Sequence, residues 1–433
     1  MYFFITSRKI VDISRNIALL ILALAAGAQA ATFYVSPTGI NTSPGSLTLP
    51  FRTVQKAASA AVAGDTVMLR AGTYRETVTP PRNGSSGAPI TFKNYTGEIA
   101  TISGNDVLTG WTPMGNGVFR AAMPWNYNYE HVSDTAFPSN QVFLDGKMLT
   151  LSRWPKETNI DPVANPREGI MDAVRISGDG LTVTVTDSEF TDNPARWVGA
   201  KIWINLSRNG IDGQGKTGTV TAASNGGFTY TVNNSQTSGD VGWGIVNGTH
   251  YYLFHPTASA LAATGGAAAA LAPGEWFFDS GAGQMYVRTW DGLAPAEVEG
   301  NPGTVEARRR SWAFSLDNRS WFTVQGLRLF AASVNTDNSS ANRTGDVAPA
   351  NNILLDGLDA QYITHFTDLT ANYQMQWLSK SGLILSGSAI TLQNSTLRYS
   401  AGSGVSVLGQ GNKILALQQN LWVSLGSGRS PRV

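Results

Sequence analysis

Three stretches near the C-terminal end align without gaps. Phe322–Phe330 (FTVQGLRLF), Ile353–Ile363 (ILLDGLDAQYI) and Ile390–Ser400 (ITLQNSTLRYS) put Gln325, Asp356 and Gln393 in one column. Gly326, Gly357 and Asn394 fill the next. A second strand class aligns Leu383–Gly387 (LILSG) with Val405–Gly409 (VSVLG), one period of 22 residues from 383 to 405. A short repeat with more than one strand per turn predicts a stack of parallel strands in which each turn packs on its neighbours. Rungs then lie about 4.8 Å apart, with apolar residues laddered inside and Gly or Asn at the tight turns.

The N-terminal part carries the same kind of strand. Phe33–Val35, Asp65–Arg70, Pro89–Phe92 and Ala100–Ser103 are short and separated by Gly, Pro or Asn. Between the first two, Phe51–Ala58 shows apolar residues at helical spacing, extended by Ser59–Ala63. One helix at the start of a stack would cover its open edge, a template for aggregation if left bare. Residues 125–302 read differently. QVFLDGKMLTLSRWP is a strand, a DG turn and a strand, and GEWFFDSGAGQMYVRTWDG is a second hairpin. The expected organisation is a signal at 1–30, a cap and first rungs at 31–124, and an inserted antiparallel β region at 125–302. Further rungs follow at 303–424, with an irregular tail at 425–433.

Charged residues make up only 14% of the chain and hydrophobic ones 42%, so it can build a large core and is not disordered. A net charge of +1 points neither to nucleic acid nor to an anionic membrane surface. Arg8, Lys9 and Arg15 precede the apolar run Ile17–Ala26 and the small-residue pattern Ala28-Gln29-Ala30. This predicts a cleaved export signal with a mature start at Ala31 and a secreted or periplasmic protein; the alternative is a retained N-terminal anchor. There is no cysteine, so neither disulfides nor a thiolate zinc site can contribute. The four histidines show no HExxH spacing, and no Walker or GxGxxG context marks a nucleotide site.

FYVSPTG, FRTVQKA, AGDTVMLRAGTYRE, QVFLDGKMLTLSRWP, GEWFFDSGAGQMYV and YSAGSGV together resemble secreted right-handed parallel β-helix proteins of the pectate-lyase-like superfamily. They are similar in particular to long bacterial members with a β insertion after the first rungs. The resemblance covers most of residues 31–412. It implies an all-β fold, a right-handed parallel β-helix with a short N-terminal capping helix and an inserted antiparallel β domain. It also implies a polysaccharide partner. The superfamily includes polysaccharide lyases, glycoside hydrolases, phage depolymerases and non-catalytic adhesins, so fold alone does not choose the reaction.

Hydrolysis requires two carboxylates. Elimination on a uronate requires a Lys or Arg base and a cation, with Ca²⁺ as the expected cofactor of a lyase and none for a hydrolase. The long loop 361–382 holds Asp368 as an acid or base, His365 to orient it and Lys380 as a lyase-type base. Tyr362, Tyr373 and Trp377 there are placed to stack on sugar rings. The alternative is that the loop's aromatic residues pack it onto the rung and that His365 is structural. Asp356 and Asp359, near Arg398 on the following rung, form a second acid/base or substrate-clamping group, or else cap turns; Asp317 and Arg319 read the same way. The run Ala307–Arg310 (ARRR) is either a binding patch for an acidic glycan or a solvated charge run. Trp154 and Trp276 are read as packing residues of the insertion.

Carboxylates with aromatic residues favour hydrolysis, with elimination or a non-catalytic glycan-binding or inactive fragment as alternatives. After Asn412-Lys413-Ile414 the register is expected to fail, as in a truncated, frame-shifted or divergently capped end. An uncapped last rung predicts self-association.

Overall fold

The computed structural model describes residues 29–127, 140–157, 167–178, 180–206, 215–232, 244–255, 262, 265–337, 350–363, 382–400 and 404–422. It is nearly all β. Parallel strands stack on three faces. The first face runs through Thr32–Val35, Thr66–Leu69, Ile90–Asn94, Ser320–Gln325, Asn351–Asp356, Thr391–Gln393 and Lys413–Leu415. The second runs through Gly72–Tyr74, Ala100–Ser103, Arg328–Phe330, Asp359–Gln361, Thr396–Ser400 and Gln418–Trp422. Trp312–Ser315, Ser333–Asn335, Leu383–Ser388 and Val405–Gln410 form the third.

The register is the one the repeat predicts. Gln325 pairs with Asp356 and Asp356 with Gln393, while Leu383–Gly387 pairs residue by residue with Val405–Gly409. Parallel stacking places identical positions above one another, so alternation along each strand becomes a ladder across rungs. Val67, Phe92, Val324, Leu355 and Leu392 form one such inward ladder, each fully buried. Ile102, Leu329, Ala360 and Leu397 form another. Burying each large apolar side chain is worth about 1.5–3 kcal/mol, which lets a chain without disulfides hold together. Between the first two faces the chain turns at Gly326, Gly357 and Asn394, with φ of 66°, 63° and 49°. This left-handed conformation costs Gly and Asn little, and the aligned column of those residues reflects it.

The helix α1 spans Val54–Ala60, shorter at both ends than expected. Phe51 is bridged to Val35 in extended backbone and cannot join it, and Ala61 returns to extended geometry. Thr53 caps the start by accepting from the Lys56 amide, and the Glu76 carboxylate takes the Val54 and Gln55 amides at 2.8 Å each. Val54, Ala57 and Ala58 are buried against the first strands.

Ile90–Asn94 stacks directly on Ser320–Gln325, and Ala100–Ser103 on Arg328–Phe330. Everything between leaves and returns at one point, where the Gly104 carbonyl accepts from the Arg309 and Arg310 amides at 2.8 and 3.0 Å. The departing chain builds largely antiparallel sheets that include both expected hairpins, Val142–Leu144 with Lys147–Met148 and Glu275–Asp279 with Gln284–Arg288. Antiparallel pairing already begins at Asn105–Val107 and lasts to Val305–Arg308, so limits of 125 and 302 are too narrow. Trp154 and Trp276 are buried in this region, as expected.

The expected failure of register near Ile414 is also corrected. Lys413–Leu415 pairs with Thr391–Gln393, and the stack continues through Gln418–Trp422 on Thr396–Ser400. The ladder is made by the backbone, and Asn412 keeps the turn in line. Its side chain accepts from the Ile390 amide at 2.9 Å and donates to the carbonyls of Gly387 and Leu408 at 3.1 Å.

Candidate functional site

On the second face, Leu329, Ala360 and Leu397 point inward, so the residues flanking each of them point out. Stacking brings Arg328, Asp359, Gln361 and Arg398 together. Asp359 Oδ1 accepts from Arg398 Nη2 at 2.6 Å, and Oδ2 from Arg328 Nε at 3.0 Å and Gln361 Nε2 at 2.9 Å. With both oxygens held, Asp359 orients two half-exposed guanidinium groups. Asp356 lies across the Gly357 turn on the first face and joins a polar ladder. It accepts from Gln325 Nε2 at 3.1 Å and from Asn394 Nδ2 at 2.8 Å. Such bonds tie rung to rung, in keeping with the turn-capping alternative.

Tyr362 is not an open stacking platform. Its ring is 6% exposed, stacked on Tyr399 at 4.8 Å and edge-on to Phe143 and Phe330 at 5.0 and 5.5 Å. The hairpin carrying Phe143 covers it, so its area goes into packing. Asp368, His365, Lys380, Tyr373 and Trp377 lie outside the described residues. The chain enters that segment at Ile363 and returns at Gly382, where a Cβ would collide with the Ile363 side chain. The loop's two ends therefore touch.

The third face holds Asp317, read from the sequence as an acid/base or clamping group or else a turn cap, and Asp337, which the sequence did not single out. Ser315 pairs with Asn335, and the Leu316 amide donates to the Asn335 carbonyl at 2.7 Å, so Asp317 and Asp337 follow at equivalent positions on neighbouring rungs, Asp317 partly buried and Asp337 8% exposed. Burial pushes the Asp317 carboxyl above the usual carboxylate range. Arg319 opposes this and the Asp337 charge adds to it. The missed signal was spacing: 317 and 337 differ by nearly one repeat, as do 315 and 335.

The basic run is tied into the fold by Arg308, while Arg309 stays exposed. Arg308 is 2% exposed, donates to Gln141 Oε1 at 2.7 Å and to the Ile363 carbonyl at 3.3 Å, and lies over the Tyr127 ring. Arg309 and Arg310 both pair with Asp106 at 2.7 Å. Within the antiparallel region, Glu275 is buried against Lys156 Nζ at 2.8 Å, and burial raises its carboxyl. Among the described residues no group of three or more His, Asp or Glu is arranged to hold a metal.

No protein-family model matches the sequence. A 74-residue segment is 49% identical to the uncharacterized protein YwoF of Bacillus subtilis, covering 17% of this chain and 16% of that protein. An 87-residue segment is 36% identical to pectate lyase PEL9 of Emericella nidulans, covering 20% and 21%. The matches thus span about a fifth or less of these relatives' lengths. A solved structure described as a glycoside hydrolase superposes with a TM-score of 0.51 and 14% identity, over 87% of this chain and 67% of its own. The chain shares its fold with a glycoside hydrolase. That likeness concerns architecture, and the chemistry has to be argued from side chains.

Proposed function

We propose that this protein is an exported, right-handed parallel β-helix that processes a polysaccharide, cleaving glycosidic bonds with a pair of carboxylates. The observation that carries the reading is Asp317 beside Asp337. Neighbouring rungs are about 4.8 Å apart along the backbone, and a retaining mechanism requires the two carboxyl groups roughly 5–5.5 Å apart. Asp317, whose carboxyl pKa is raised by burial, donates to the glycosidic oxygen, and the largely buried Asp337 supplies the second carboxylate from the neighbouring rung. The guanidinium pair on Asp359 supplies hydrogen-bond donors on the adjoining face. Support for a carbohydrate substrate comes from the pectate lyase segment match and the hydrolase-like fold.

The sequence match to a pectate lyase favours elimination as a second reading. The products separate the two, because elimination leaves an unsaturated sugar that absorbs in the ultraviolet and hydrolysis leaves only new reducing ends. On a panel of plant and bacterial polysaccharides, we expect reducing ends without ultraviolet absorbance. Asp317→Asn and Asp337→Asn should each lower turnover at least 100-fold with folding intact, in line with the loss of general acid–base catalysis. Activity of the native protein should fall as pH rises through the raised Asp317 value. Unchanged turnover in both variants would remove the pair from the mechanism, and binding without products would leave a glycan-binding protein.

A further inference from the structure

Residues 29–31 lead into the first strand, Thr32–Val35. Gln29 and Ala30 are exposed. The Ala31 main-chain nitrogen donates to Asp65 Oδ1 at 2.7 Å, and the Ala31 carbonyl accepts from the Thr66 amide at 2.9 Å. Asp65 is only 4% exposed, and its other oxygen accepts from the Val62 amide at 2.8 Å. Among the described residues, no side-chain cation pairs with it. Arg82, the cation at this end of α1, gives its guanidinium to the Ser59 and Ala61 carbonyls. A buried carboxylate bonded to two neutral amides is an expensive way to hold a backbone, since an amide or hydroxyl oxygen would accept the same bonds without a charge to desolvate. It becomes economical if one of those nitrogens carries a positive charge.

We propose that the Ala30–Ala31 peptide bond is a processing site and that Asp65 is the receptor for the new N-terminus. Hydrolysis adds water across the C–N bond, leaving a carboxylate on Ala30 and an amine on Ala31 that takes up a proton. The resulting α-ammonium forms at the position from which the Ala31 nitrogen already reaches Asp65. The small residues Ala28 and Ala30 occupy the positions that signal-type cleavage selects, and the exposed backbone at 29–30 presents the bond. Cleavage therefore exchanges a hydrogen bond from a neutral amide for a partly buried ion pair that closes the first strand onto the second. The inference does not depend on the polysaccharide reading.

The test begins with the full chain expressed in an exporting bacterium and N-terminal sequencing of the product, which should start at Ala31. Urea unfolding from pH 7 to pH 10 then compares this protein with its Asp65→Asn variant and with a chain starting at Gln29. An α-ammonium with a carboxylate partner has a raised pKa, so its stabilisation is complete below about pH 8 and is lost as pH climbs through the folded value. Each unit of that rise appears as about a tenfold loss in the folding constant, present in the Ala31 chain and absent from the other two. A start elsewhere than Ala31, or parallel pH profiles for the Ala31 and Gln29 chains, would overturn the proposal. The Gln29 comparison decides even if Asp65→Asn does not fold.

Discussion

The imidazole of His255 lies nearly flat on the Trp197 indole, ring centroids 4.8 Å apart, and among the described residues neither ring nitrogen has a hydrogen-bond partner. Burial lowers its pKa to about 4, and the ammonium of Lys156 pushes the same way. The folded protein therefore binds this proton less readily than the unfolded chain. His255 costs nothing above pH 6.5, and stability is lost as pH falls from there toward 4, by at most about 3 kcal/mol. His255→Phe should flatten the acid side of a urea-unfolding pH profile between 6.5 and 4.5. If native and variant profiles fall in parallel, another group carries the acid sensitivity. Residue-scale chemistry of this kind was not legible beforehand: four scattered histidines gave no hint that one would be sealed against a tryptophan.

At the scale of elements, the turns between faces decide whether rungs stay in step. Gly357 sits at φ 63°, yet a Cβ there would meet nothing closer than 3.8 Å. The restriction is conformational rather than steric. Gly357→Val should cost about 1–3 kcal/mol by urea denaturation, whereas Gly357→Asn should cost clearly less, because Asn394 occupies the same column one rung on at φ 49°. Equal losses would mean that packing, not backbone hand, dominates the corner. This column, the strand register and both hairpins were readable in the sequence because each depends on neighbours within one repeat or one turn. The fate of Tyr362 was not, since the aromatic residue that covers it, Phe143, arrives from a distant hairpin.

For the whole molecule, the antiparallel region leaves and rejoins the stack where Gly104 bonds to Arg309 and Arg310, and is further held by Arg308 on the Ile363 carbonyl and Phe143 on Tyr362. The stacked core below and above it is already continuous through Phe92 on Val324 and Ile102 on Leu329. Replacing residues 105–308 by a short glycine linker should leave a folded parallel stack by far-ultraviolet circular dichroism. It should also raise association, because Phe330 and Tyr362 lose the cover of Phe143 and Met148. Loss of β signal would instead show that the stack needs the insertion to fold.

Local pattern alone determined that the chain is an all-β stack with a capping helix, and which residues share a column, because parallel stacking turns a one-dimensional period into a contact. The functional pairing was decided only in three dimensions. Asp359 is neutralised by arginines from the rungs on either side of it, and Asp317 feels the charge of Asp337 on the next rung. The continuation of the stack past Ile414 likewise followed from backbone hydrogen bonds that side-chain identity does not announce. A carboxylate's role depends on what surrounds its oxygens, and those surroundings come from residues far apart in the chain.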